Sequence, residues 1–95
     1  MTVYGEAEIT RFQKKYAASR KPLGRFLAIA RAADWPHFPA VKKSFPATDY
    51  LPETGKLVFD IGGNKYRLFA WVNFQMQHLV IREVLTHEEY DRIKL

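Results

Sequence analysis

The stretch from Lys56 to Phe74, KLVFDIGGNKYRLFAWVNF, decides the fold. Its two apolar runs flank Gly62-Gly63-Asn64, and glycine and asparagine supply the positive φ that tight hairpin turns require. Lys56 to Ile61 is therefore predicted as one strand, and Lys65 to Phe74 as a second strand antiparallel to it. Gln75-Met76 reads as the next turn, leading into a third strand over Leu79 to Leu85. Toward the N-terminus, residues 34–55 hold Pro36, Pro39, Pro46 and Pro52, four of the five prolines. That density predicts no regular element beyond a turn or two. The aromatics of this segment, Trp35, Phe38, Phe45 and Tyr50, predict that it packs down on the core.

Further upstream, Gly5 to Ala33 reads as two helices. Ile9, Phe12 and Tyr16 recur at helical spacing, while Leu23, Phe26, Leu27 and Ala30 form the apolar stripe of the second helix. Pro22 suits that helix's first residue, where its missing N–H has no intrahelical partner to lose. The short break at Ser19-Arg20-Lys21 predicts an antiparallel helical hairpin. Val3-Tyr4 reads as the end of a very short strand. A meander of three antiparallel strands with both helices on one face makes the expected class α+β. With 95 residues, residues 1–95 are expected to form a single domain.

Composition narrows the chemistry. The chain has no cysteine, which excludes disulfides and thiolate metal sites. His37, His78 and His87 are scattered without ligand spacing, so no metal and no cofactor are expected. No apolar run approaches the roughly 18 residues of a membrane span, and Met1-Thr2-Val3-Tyr4 does not open like a signal peptide. A soluble, cytoplasmic protein is expected. The net charge of +5 favours encounter with polyanions by electrostatic steering.

Strand register brings chemistry-bearing residues together. If the second hairpin turns on Gln75-Met76, Arg67 lies opposite Val84 and Phe69 opposite Arg82, and opposed residues share a face. Arg67 and Arg82 are then diagonal neighbours on the face that carries Phe69 and Trp71. The Gly-rich turn sets Asp60, or Val58 in the alternative register, opposite Arg67. An Asp60–Arg67 pair would be an ordinary cross-strand ion pair worth a few tenths of a kcal/mol. It accounts for one arginine better than for two. Two arginines beside aromatic rings also suit a phosphate clamp with stacking surfaces, the equipment of single-stranded RNA sites.

Downstream lies Thr86-His87-Glu88-Glu89-Tyr90-Asp91. Thr86 and Glu89 have the spacing of a capping box, so a short final helix is predicted to begin at His87. Tyr90 at i+3 and Asp91 at i+4 then share the His87 face. Free N–H groups at a helix start favour phosphate oxygens. An imidazole there is able to exchange a proton near neutral pH, with Asp91 placed to orient it. The plainer alternatives are a helix-start histidine without a task and a core-edge tyrosine.

Leu57 to Leu68, LVFDIGGNKYRL, followed by Val80 to Asp91, VIREVLTHEEYD, closely resembles the HigB group of RelE-like bacterial toxins. The resemblance runs from about Val58 to Asp91, with looser support from the two upstream helices and from the Lys42 to Pro46 stretch. It implies the toxin half of a type II toxin–antitoxin pair. It further implies an endoribonuclease, an mRNA interferase that cuts mRNA on translating ribosomes and is neutralised by a helix-turn-helix antitoxin. The implied fold has two N-terminal helices on one face of a small antiparallel sheet, RNA on the other face, and a short C-terminal helix. By the same resemblance Arg67, His87 and Tyr90 are the expected catalytic residues, and Lys42 or Lys43 the basic residues of the preceding loop. Lys65, Arg82 and Trp71 are expected to contact RNA, and Asp91 to support the site.

The expected reaction is metal-independent: the 2′-hydroxyl attacks the adjacent phosphate, leaving a 2′,3′-cyclic phosphate and a 5′-hydroxyl. Arg67, assisted by Arg82, would meet the phosphate charge, and His87 would move a proton, with Tyr90 stacking on a base or sharing proton transfer. A non-catalytic RNA-binding domain and an interaction-only protein of the same fold are the alternatives.

Overall fold

The computed structural model describes residues 1–94. In chain order these form β1 (Thr2–Tyr4), α1 (Glu6–Lys15), α2 (Arg20–Ala32), α3 (Phe38–Ser44), β2 (Asp49–Leu51), β3 (Lys56–Ile61), β4 (Tyr66–Asn73), β5 (His78–Thr86) and α4 (His87–Lys94). The class is α+β, as expected, with both N-terminal helices on one sheet face and a short helix at the end. The sheet is larger than the predicted meander. It has five strands in the order β1-β5-β4-β3-β2, and β1 pairs parallel to β5, so the sheet is mixed.

Alternation along β3 and β4 divides the side chains between two clusters. Leu57, Phe59, Ile61, Leu68 and Ala70 face the main core, where they meet Ile9 and Phe12 of α1 and Leu23, Phe26 and Ala30 of α2. Val58, Phe69 and Leu85 form a smaller cluster on the opposite face, with Leu51 and Tyr90 packed against it. Phe59 centres an aromatic group in the main core: its ring lies 4.9 Å from Phe26 and 5.4 Å from Phe45.

The proline-rich segment does pack on the core, and it is more regular than its composition predicts. Pro39 falls at the start of α3, where a missing N–H costs nothing, and Val41 carries the helix into the main core. Asp49–Leu51 adds to β3 as a short edge strand. Pro22 also lies inside its helix, which begins earlier, at Arg20. A proline is tolerated anywhere in the first turn, so it cannot mark the exact boundary.

The predicted pairing of Arg67 with Val84 and of Phe69 with Arg82 is corrected by the structure. From Ala70 to Asn73 the pairing follows the expected register, with Trp71 opposite Val80. A β-bulge then intervenes, Phe69 opposing Glu83 and Ala70 opposing Ile81, which leaves Arg82 as the extra residue. Beyond it every partner moves by one, and Arg67 lies opposite Leu85. A bulge sets two residues of one strand against one of the other, so an unbroken count across the hairpin fails at that point. On the other side Asp60 is the partner of Arg67.

Candidate functional site

The site forms where the β3–β4 turn meets the start of α4. Gly62, Gly63 and Asn64 all have positive φ, which closes the hairpin between Ile61 and Tyr66. Asp60 stabilises this turn by accepting the Asn64 N–H through Oδ1 at 2.7 Å. Tyr66 pairs with Thr86, so α4 starts beside the turn, and the His87 N–H donates to the Lys65 carbonyl at 2.9 Å. The capping box is present in both directions. Thr86 N–H donates to Glu89 Oε1 at 2.9 Å, and Glu89 N–H donates to Thr86 Oγ1 at 3.2 Å.

Arg67 is the fixed cation of this corner. Its Nη1 lies 3.3 Å from Asp60 Oδ1 and 3.3 Å from the Tyr66 carbonyl, and its Nη2 donates to Asn64 Oδ1. The Tyr90 ring lies against the guanidinium, with Cζ 5.3 Å from the ring centroid. Tyr90 in turn packs on Phe69, centroid to centroid 5.7 Å. The Arg67 side chain is 14% exposed. A guanidinium has five N–H donors, so the three contacts leave two, enough for one bidentate pair with an anion. The plain ion pair with Asp60 is thus real, and it also orients the arginine.

His87 and Asp91 pair across one turn of α4, Nε2 to Oδ2 at 3.2 Å, at 43% and 54% exposure. The Nδ1 atom of His87 is buried without a hydrogen-bond partner. Nε2 is therefore the atom through which this imidazole meets solvent or a ligand. Tyr16, Asn64, Lys65, Thr86, His87 and Glu88 line a groove at this place.

The structure thus sets two groups beside the same turn, Arg67 on Tyr90, and His87 with Asp91 and Lys65. It places Arg82 and Trp71 farther along the same face: Arg82 Cζ lies 4.7 Å from the Trp71 ring centroid, whereas Arg67 stacks on Tyr90. Lys42 and Lys43 occupy the last turn of α3, a helix that packs on the other sheet face. Asn64 belongs to the site as well: its residue type signals a turn, and no local pattern signals that its side chain reaches Arg67. Lys56, whose Nζ lies 5.6 Å from the Trp71 centroid, was also missed, although the Asp60–Arg67 register places it directly opposite Trp71. Among the described residues no group of three or more His, Asp or Glu side chains is placed to hold a metal ion. No described helix is long and apolar enough to cross a membrane.

Comparison with known proteins bears on this arrangement. The "mRNA interferase toxin HigB" of Escherichia coli (strain K12) is 45% identical over 53 residues, covering 55% of this chain and 51% of that protein. The "mRNA interferase HigB" of Shigella flexneri matches to the same extent. A second "mRNA interferase HigB", from Escherichia coli O6:H1, is 24% identical over 94 residues, covering 98% of this chain and 91% of that protein. The match to the first two spans about half their length. Residues 19–93, from the turn before α2 into α4, match the HigB toxin family, described as the RelE-like toxic component of a toxin–antitoxin system. That stretch contains the whole corner built by Arg67, Tyr90 and His87, and the chain belongs to the HigB toxin family.

Proposed function

We propose that the protein is an endoribonuclease toxin that cleaves mRNA without a metal ion, by attack of the 2′-hydroxyl on the adjacent phosphate. The carrying observation is the corner itself: Arg67, oriented by Asp60 and Asn64, lies on the Tyr90 ring of α4, and His87, paired to Asp91 on the same helix, lines a groove with Asn64 and Lys65. The relatives named mRNA interferases support action on mRNA. In this reading the free donors of Arg67 bind the phosphate and stabilise the charge that builds on its oxygens. A proton must leave the 2′-oxygen and another must reach the 5′-oxygen. His87 carries one of these through Nε2, and Asp91, 3.2 Å from that same atom, orients the ring until the RNA oxygen takes its place. Tyr90 fixes Arg67 by stacking and presents its ring edge to a base. Lys65, Arg82 and Trp71 bind RNA, and Lys42 and Lys43 act on RNA segments beyond the corner. The partner is a helix-turn-helix antitoxin, the substrate is mRNA held on the ribosome in the cytoplasm, and residues 1–95 act as one domain.

The test is His87→Ala. Cleavage of a reporter mRNA falls by on the order of 10² or more, while RNA binding changes little. Equal cleavage by the variant rejects His87 as a proton carrier. A non-catalytic RNA-binding protein is the second reading, favoured by the Asp60 carboxylate already paired with Arg67. It predicts no new mRNA ends and no growth arrest when the parent chain is induced without its antitoxin.

A further inference from the structure

Beyond the corner, the same sheet face carries a second arrangement that the cleavage chemistry does not use. Trp71 is exposed at 39% on a strand whose other large outward ring, Phe69, is covered by Tyr90. Because β4 lies between β3 and β5, cations reach over the Trp71 ring from both neighbouring strands, Lys56 Nζ 5.6 Å and Arg82 Cζ 4.7 Å from its centroid. The bulge takes Arg82 out of the paired register, so it has no partner on β4 and its side chain lies on Trp71. The indole is held in place by Nε1, which donates to the Thr54 carbonyl at 3.0 Å. Three features coincide here: a partly exposed ring, a fixed orientation, and two long cationic side chains over it that a stacking base would displace onto the flanking phosphates. An aromatic ring that stacks a base while cations meet the flanking phosphates is the general device of single-strand recognition.

Spacing links this platform to the corner. Trp71 lies four residues along β4 from Arg67, about 13 Å at the rise of a strand. An unstacked single strand covers that separation in about two nucleotide steps. We propose that Trp71, with Lys56 and Arg82, is a base-stacking subsite for single-stranded RNA, occupied by a nucleotide about two positions from the phosphate held by Arg67. This rests on the reading of the Arg67 corner as a phosphate site, but its test does not depend on cleavage. The subsite sets a minimum substrate length and tolerates any base, because every base has a face to stack.

Trp35 is 3% exposed and Trp71 is the other tryptophan, so fluorescence quenching reports on Trp71. The probe is a 2′-O-methyl tetranucleotide, which lacks the attacking hydroxyl and stays intact. It quenches the wild-type protein saturably, and the quenching is absent in Trp71→Ala. With a labelled tetranucleotide read by anisotropy, Trp71→Ala binds about tenfold more weakly. Trp71→Phe, which keeps a stacking ring but loses the bond to Thr54, binds as the parent does. Arg82→Ala weakens binding in the same assay and leaves the indole in place. Absence of quenching in the parent overturns the proposal. So does equal loss in the Phe and Ala variants, which would make Trp71 a support for the Thr54 turn. A catalytically inert His87→Ala protein that still quenches separates the two readings: the subsite stands and the cleavage chemistry is read from its own test.

Discussion

At the scale of single residues, Asn64 does two things that are separable by substitution. Its backbone takes φ 78° in the hairpin turn, and its side-chain oxygen accepts from Arg67. Glycine adopts positive φ without a steric cost, so Asn64→Gly keeps the turn and removes only the acceptor. Urea denaturation is expected to give a stability within about 0.5 kcal/mol of the parent, as for a substitution that leaves core and backbone intact. RNA cleavage, in contrast, is expected to fall roughly tenfold in kcat, because a bond that orients the guanidinium proposed to bind phosphate is lost. Unchanged kcat would mean that Asp60 and the Tyr66 carbonyl suffice to hold Arg67. Arg67→Lys is expected to lose more, since an ammonium cannot reproduce the planar fork that contacts several acceptors at once.

At the scale of elements, what the sequence made legible follows from how local each interaction is. The capping box joins residues three apart, so Thr86 and Glu89 announced the start of α4 without knowledge of the rest of the fold. The glycine-rich turn was equally local and marked the β3–β4 hairpin, but it left two registers open, with Asp60 or Val58 opposite Arg67, and the structure has Asp60 there. The bulge at Arg82 and the parallel pairing of β1 with β5 depend on residues far apart in the chain, and no spacing signal marks them. Gly5 shows the cost of that long-range contact. Its φ is +83°, and a β-carbon there would lie 2.3 Å from the Ile81 carbonyl oxygen. Gly5→Ala is expected to destabilise the fold by roughly 1–3 kcal/mol, measured by thermal unfolding, because α1 can no longer start against β5. Gly24 is the contrast: it sits within α2 with nothing near its missing β-carbon, so Gly24→Ala is expected to stabilise by about 0.5–1 kcal/mol. Thr86→Ala is expected to cost about 1 kcal/mol in the same measurement. It should also lower cleavage, since His87 is the first residue of the helix that Thr86 caps.

At the scale of the whole molecule, the two sheet faces have different tasks. One is filled by α1, α2 and α3 and supplies the main core. Among the described residues the other holds the small cluster around Phe69, and it carries Lys56, Arg67 and Arg82 along its strands, with Lys65 at the turn. Acidic groups interrupt this face: Asp60 pairs with Arg67, and Glu83 lies opposite Phe69. The net charge of +5 therefore overstates the field that an RNA strand meets there. Each phosphate contact on a single strand contributes about 0.7 to the slope of log binding constant against log salt. Contacts through Arg67, Arg82 and Lys56 predict a slope of about −2, well short of what the total number of basic residues would suggest. Arg82→Ala should make the slope shallower by about 0.7, while a charge removed from the opposite layer, as in Arg25→Ala, should leave it unchanged. Titrations of a 2′-O-methyl oligonucleotide across a series of salt concentrations measure both. A slope that responds equally to the two substitutions would mean that even a short oligonucleotide runs over α2 as well as over the open sheet face.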